Sequence, residues 1–153
     1  METDRTIEML PEEIEAFLDR GGTGVLSLAA GDVPYATPVS YGFDPDERQF
    51  YFRLGAVAET DKGGFLEASD RARFVVYELR DDVWTSVIAT GPLAPISEEE
   101  LTLEVARALR QADLPLFSIW DEPREALEFD LYRLSVEELS GRRSVAGEEA
   151  PPG

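Results

Sequence analysis

The sequence predicts a mainly β protein with peripheral helices, built as a small closed antiparallel barrel. Three observations carry this. Apolar alternation recurs in six short runs, the early runs are separated by hairpin-length turns, and the elements follow the order helix, three strands, helix, two strands, helix, strand. Hairpin spacing favours antiparallel pairing, because parallel strands need long crossovers. At 153 residues the chain is long enough for one domain around a single core.

The elements follow in order. Pro11 to Arg20 reads as a short helix: proline suits the first helical position, Ile14, Phe17 and Leu18 share a face, and Gly21-Gly22 end it. Thr23 to Ala30 alternates through Val25, Leu26 and Leu28 as a first strand. The Gly31-Asp32 turn leads into a second, Tyr35 to Phe43. Asp44-Pro45-Asp46-Glu47 forms the next turn, and Gln49 to Leu54 is an aromatic strand through Phe50, Tyr51 and Phe52.

Thr60 to Ser69 predicts a short helix around Phe65, Leu66 and Ala68. Arg73 to Leu79 is a fourth strand and Trp84 to Ile96 a fifth, bent at Gly91-Pro92. Ser97 with Glu100 has the spacing of a capping box and opens a helix with Leu101, Val105, Ala108 and Leu109 on its apolar side. A loop bearing Leu114, Pro115, Phe117 and Trp120 follows. Ala126 to Val136 is the last strand, alternating Leu127, Phe129 and Leu131. Residues 1–143 are expected to form the single domain, and the polar stretch from Ser144, ending Glu-Glu-Ala-Pro-Pro-Gly, a disordered tail.

Composition excludes more chemistry than it suggests. The chain has no cysteine and no histidine. That removes disulfides, thiolate nucleophiles, zinc fingers, iron-sulfur clusters, His-ligated haem, the Ser-His-Asp triad and imidazole acid-base catalysis. A net charge of -18 and a pI near 4.2 oppose a nucleic-acid partner and an anionic membrane surface, both of which call for a basic footprint. No basic and apolar leader opens the chain and no stretch approaches the ~18 apolar residues of a membrane span, so a soluble cytoplasmic protein is expected.

The acidity is spread through Glu12-Glu13, Asp81-Asp82, Glu98-Glu99-Glu100, Glu137-Glu138 and Glu148-Glu149. Among 14 basic residues only Lys62 is a lysine. This pattern reads as adaptation to a salty cytoplasm, ahead of an acidic docking surface for a basic partner. At about 1 M salt the Debye length is near 3 Å, and self-repulsion at this charge density becomes tolerable.

Three segments could carry chemistry. In Tyr35-Ala36-Thr37-Pro38-Val39-Ser40-Tyr41-Gly42, Pro38 removes a ladder donor. The strand therefore lies at an edge, a bulge or a ligand mouth, where freed backbone groups can meet a flat heterocycle. Phe52-Arg53-Leu54-Gly55 precedes Thr60 and Lys62. A guanidinium fork, a hydroxyl, an ammonium and a helix start make a phosphate pocket, while a surface arginine paired with Glu59 is the plainer alternative. In Trp84-Thr85-Ser86-Val87, the tryptophan either stacks on a planar ligand or plugs the barrel end. Trp120, on a loop with Phe117, suits an interface or a lid.

Taken in order, Gly22-Thr23-Gly24-Val25-Leu26-Ser27, Pro38-Val39-Ser40-Tyr41, Phe50-Tyr51-Phe52-Arg53, Lys62 with Phe65-Leu66, Trp84-Thr85-Ser86-Val87 to Gly91, and Leu131 to Gly141 resemble the pyridoxamine 5'-phosphate oxidase-like family. The resemblance implies a six-stranded antiparallel FMN-binding split β-barrel and a homodimer with FMN at the subunit interface. It implies the flavin ring against Pro38, Val39 and Ser40, the phosphate near Arg53, Thr60 and Lys62, and Trp84 and Ser86 beside the ring. Trp120 would reach the flavin of the other subunit. The resemblance implies an oxidoreductase of unassigned substrate that uses flavin hydride chemistry; a deazaflavin-dependent reductase or a non-catalytic, stress-associated flavin module are the alternatives on the same barrel. The vitamin-synthesising enzyme of that family uses an Arg/His pair near its C-terminus. This chain departs from it there, having no histidine, and the same lack makes haem the weaker ligand.

Overall fold

The computed structural model describes residues 5–55, 71–97 and 129–145, with Glu99 and Leu103. The expected helix over 60–69, the helix opening near Ser97, the Trp120 loop and the tail beyond Val145 lie outside the described residues. The elements are β1 (Thr6–Glu8), α1 (Pro11–Asp19), β2 (Gly22–Ala30), β3 (Val33–Asp44), β4 (Gln49–Gly55), β5 (Arg71–Arg80), β6 (Val83–Pro95), β7 (Phe129–Ser135) and β8 (Glu138–Ser144).

All pairings are antiparallel, in the order β1-β8-β6-β5-β2-β3-β4-β7, and a further β6–β7 pairing closes β2 to β7 into a ring of six strands. The ring is not a regular barrel. One edge of β6 is shared: Thr85 to Thr90 pair with β8, and Leu93 to Pro95 pair with β7. The changeover falls at Gly91, where an added Cβ would lie 1.8 Å from the Ser135 carbonyl oxygen. The predicted bend at Gly91-Pro92 is therefore where the sheet splits, and a side chain there is excluded by backbone on the neighbouring strand.

The six predicted strands are present, and two more that the sequence reading passed over join them. β1 is only three residues long, and β8 reads Glu-Leu-Ser-Gly-Arg-Arg-Ser, without the alternation or β-branched residues that mark a strand. Its partner forms it: β8 aligns six residues with β6 and three with β1. Ser144, expected to open the tail, is paired with Thr6, and the Val145 N–H donates to the Arg5 carbonyl at 3.2 Å.

The inner face of the ring holds the core. Tyr41, Phe50, Phe52 and Phe74 are fully buried and meet mainly edge to face, as Tyr41 with Phe50 at 5.6 Å and Phe52 with Phe74 at 4.8 Å between centroids. The helix α1 adds Ile14 and Leu18 to this cluster. Its approach to β8 is possible because position 141 is glycine, where a Cβ would meet Met9 Sδ at 2.8 Å and Ile14 Cγ1 at 2.9 Å. Tyr51, between the two buried phenylalanines of β4, packs on the other side of its strand with Ile96 and Leu131.

Candidate functional site

Successive residues of a strand point to opposite faces, so the register decides which predicted site residues can act together. Along the outer face one cross-strand row spans five strands: Pro38, Val25, Val75, Ile88 and Ser140 stand opposite one another in β3, β2, β5, β6 and β8. The next row on the same face runs Tyr77, Ser86 and Arg142, and beyond it Leu79 stands opposite Trp84. On the other side lies Ala36, Ser27, Arg73, Thr90 and Glu138.

The structure thus places Pro38, Trp84 and Ser86 on one face of one sheet. It bears on one of the two roles open to Trp84. The indole does not plug the barrel: it is 42% exposed on the outer face, its backbone N–H donating to Ser144 Oγ at 2.8 Å. Around it, Tyr77 is 61% and Leu79 is 72% exposed. With Ile88 they make an apolar surface that burial would stabilise by about 25 cal/mol per Å².

Val39 falls on the opposite face. Its side chain is buried in the core cluster, opposite Gly24 in the register, so only its backbone belongs to the edge of the site. Val39, Tyr41 and Phe43 alternate on one face of β3, and the pairing turns that face inward. Ser40 has the outward parity of Pro38 and is itself buried. It lies one residue beyond Tyr41↔Phe52, where the β3–β4 pairing ends, and Arg53 lies one residue beyond on β4, still paired with Leu131 of β7. Thr60, Lys62 and Trp120 lie outside the described residues.

One residue of this face went unnoticed in the sequence. Arg142 sits directly across from Ser86 because β8 pairs with β6. Its Nε donates to Thr6 Oγ1 at 2.9 Å, and it has no carboxylate partner among the described residues. The bond to Thr6 orients the guanidinium and leaves its terminal nitrogens available. No local signal marks it, since Gly141-Arg142-Arg143 has neither the alternation nor the β-branched residues of a strand.

The exposed apolar face of Tyr77, Leu79, Trp84 and Ile88 sits on an antiparallel split barrel. The chain belongs to the pyridoxamine 5'-phosphate oxidase family, whose model matches residues 11–143. No curated protein matches the sequence significantly. Among solved structures, the chain is similar to a FAD-binding protein from Mesorhizobium loti, with a TM-score of 0.72 and 22% identity over 92% of this chain and 99% of that one. It is similar to the FAD-binding protein of Mycobacterium smegmatis, with a TM-score of 0.67 and 18% identity over 92% of this chain and 100% of that one. A haem-binding protein of Mycobacterium smegmatis also matches, at 0.60 and 17%, over 84% of this chain and 52% of that one. At such identities what is shared is the fold. No helix among the described residues is long and apolar enough to cross a membrane.

Proposed function

We propose that this protein binds a flavin nucleotide, FMN in the first instance, on the outer sheet face and serves as an oxidoreductase. The observation that carries the reading is the shared face of Pro38, Trp84 and Ser86, which the register assembles from β3 and β6 beside an exposed apolar surface. These residues fit a planar heterocycle. Val25, Val75 and Ile88 offer a flat apolar floor, Trp84 an aromatic flank, and Ser86 a hydroxyl for a polar ring edge.

When bound, the flavin supplies two-electron redox chemistry, which a chain without histidine or cysteine does not need its own side chains to perform. The chain's part is to bind and orient. The backbone of Pro38 to Ser40 would meet the ring edge, while Arg53, Thr60 and Lys62 would hold the phosphate. Arg142, held by Thr6 beside Ser86, would orient an anionic group on the second reactant.

The functional unit in this reading is a homodimer, in which a second copy covers the apolar outer face and encloses the flavin. Trp120 would reach from one subunit to the flavin of the other. Burying Tyr77, Leu79 and Trp84 between subunits also excludes water from the ring. The dispersed acidity suits a salt-rich cytoplasm, where screening permits two chains of charge -18 to associate.

The test is the absorption spectrum of protein purified in molar salt, with mass spectrometry of whatever it releases. A flavin spectrum with FMN released, reduced by NADH or NADPH, is the expected result. FAD or a deazaflavin in the released fraction would reassign the cofactor, and bound flavin that no nicotinamide reduces would leave a non-catalytic flavin module. Colourless protein with no thermal shift on adding FMN or FAD would overturn the reading.

A further inference from the structure

A second feature lies on the inner side of the sheet, away from the outer face. A cavity of about 150 Å³ opens between α1, β8 and the β3–β4 turn. Ile14, Phe43 and Leu139 give it apolar walls, and Glu15 and Arg48 bring opposite charges to it. Ile14 and Phe43 are 5% and 4% exposed, so these walls belong to the packed core. Glu15 and Arg48 do not meet in an ion pair across the cavity. Neither has another ion-pair partner among the described residues.

Arg48 is held in place by its backbone. It adopts φ 55, the left-handed region that glycine enters most easily, and its carbonyl accepts the Val136 N–H at 3.0 Å. The turn before it is fixed by Asp44 Oδ1, which accepts the Asp46 N–H at 3.0 Å. A turn position that glycine would fill with less strain thus carries an arginine that lines the cavity.

We propose that this cavity binds a small aliphatic α-amino acid as its zwitterion. The carboxylate would meet the Arg48 fork, the ammonium would meet Glu15, and a leucine- or valine-sized side chain would enter between Ile14, Phe43 and Leu139. At about 150 Å³ the cavity's volume is that of one that takes a benzene-sized group, so an isobutyl group matches it by volume. Arginine matches a carboxylate through paired N–H donors, whereas a carboxylate such as Glu15 accepts from an ammonium. Charge argues against half of that ligand alone. A simple carboxylate is repelled by Glu15 and a simple amine by Arg48. A zwitterion has no net charge and satisfies both groups. Bound there, it would bridge α1 to the β3–β4 turn and to β8, tying the helix to the sheet.

The test is calorimetric titration of the whole protein in molar salt with L-leucine, 4-methylpentanoate and 3-methylbutylamine, repeated on Arg48→Gly and Glu15→Gln. Glycine at position 48 suits the left-handed backbone, so that variant keeps its fold, and circular dichroism verifies it for both. Saturable leucine binding is expected, weaker by about tenfold or more for either half-ligand and for either variant. A raised thermal midpoint should accompany it. Absence of saturable leucine binding, or leucine binding unchanged in both variants, would overturn the proposal. The heat of binding is read without flavin, so this result stands apart from the fate of the flavin reading.

Discussion

The Tyr41 hydroxyl donates a hydrogen bond to the Leu18 carbonyl at 3.0 Å, joining the middle of β3 to the end of α1 inside the core. Both side chains are fully buried. The carbonyl also accepts the Gly21 N–H at 3.0 Å, so it keeps a partner if the phenol is removed. Tyr41→Phe should therefore cost only about 0.5–1.5 kcal/mol at neutral pH, read from urea unfolding. A loss of several kcal/mol would mean that this bond alone holds the helix to the sheet.

The same phenol makes stability depend on alkaline pH. Burial pushes its pKa from 10.0 up to about 12, with Arg20 drawing it back and Asp19 and Glu78 adding to the rise. The folded state favours the neutral phenol, so this contribution is fully present below pH 10 and is lost as pH rises toward 12. A shift of this size corresponds to roughly 2–3 kcal/mol. Unfolding free energy should fall across that window in the native chain, and less steeply in Tyr41→Phe. Parallel curves for the two proteins would contradict the assignment.

Gly91→Ala tests the split of the barrel. Its Cβ would stand 1.8 Å from the Ser135 carbonyl oxygen, which is backbone and cannot rotate aside. The junction of β6 with β7 and β8 must then open, at a cost of about 3 kcal/mol or more. A lowered thermal midpoint with the β signature retained at low temperature is the expected outcome.

The outer face can be tested without disturbing the core. Ile88 is 36% exposed on β6 in the five-strand row, so Ile88→Arg should change the stability of a single chain by no more than about 0.5 kcal/mol. In the proposed dimer it buries an unpaired charge, and sizing in high salt should show monomers that have lost flavin. A dimer that keeps its flavin would place the subunit contact elsewhere.

Lys62 is the one lysine in the chain, and the phosphate role gives it a measurable consequence. Lys62→Ala should weaken FMN binding by about 1.5–3 kcal/mol if the ammonium makes a charge-assisted hydrogen bond, as measured by flavin fluorescence titration. Unchanged affinity would return this residue to an ordinary solvated surface.

By itself the sequence determined the antiparallel β class, six of the eight strands, the bend at Gly91-Pro92 and the start of α1 at Pro11. Each of these is written in local chemistry: alternation, turn residues, and proline or glycine at positions that tolerate little else. It also determined what the protein does without, since no arrangement of this chain can supply a thiol or an imidazole. Tertiary structure alone decided the rest. Strand β8 carries almost no propensity of its own and exists because β6 offers it a ladder, which brings Arg142 beside Ser86. Pro38 and Ser86 are 48 positions apart in the chain, and only the pairing through β2 and β5 puts them on one face. The same register turned Val39 into the core and Trp84 out of it. A strand's alternation says that neighbouring residues part company, while only its partners say which of the two faces becomes the site.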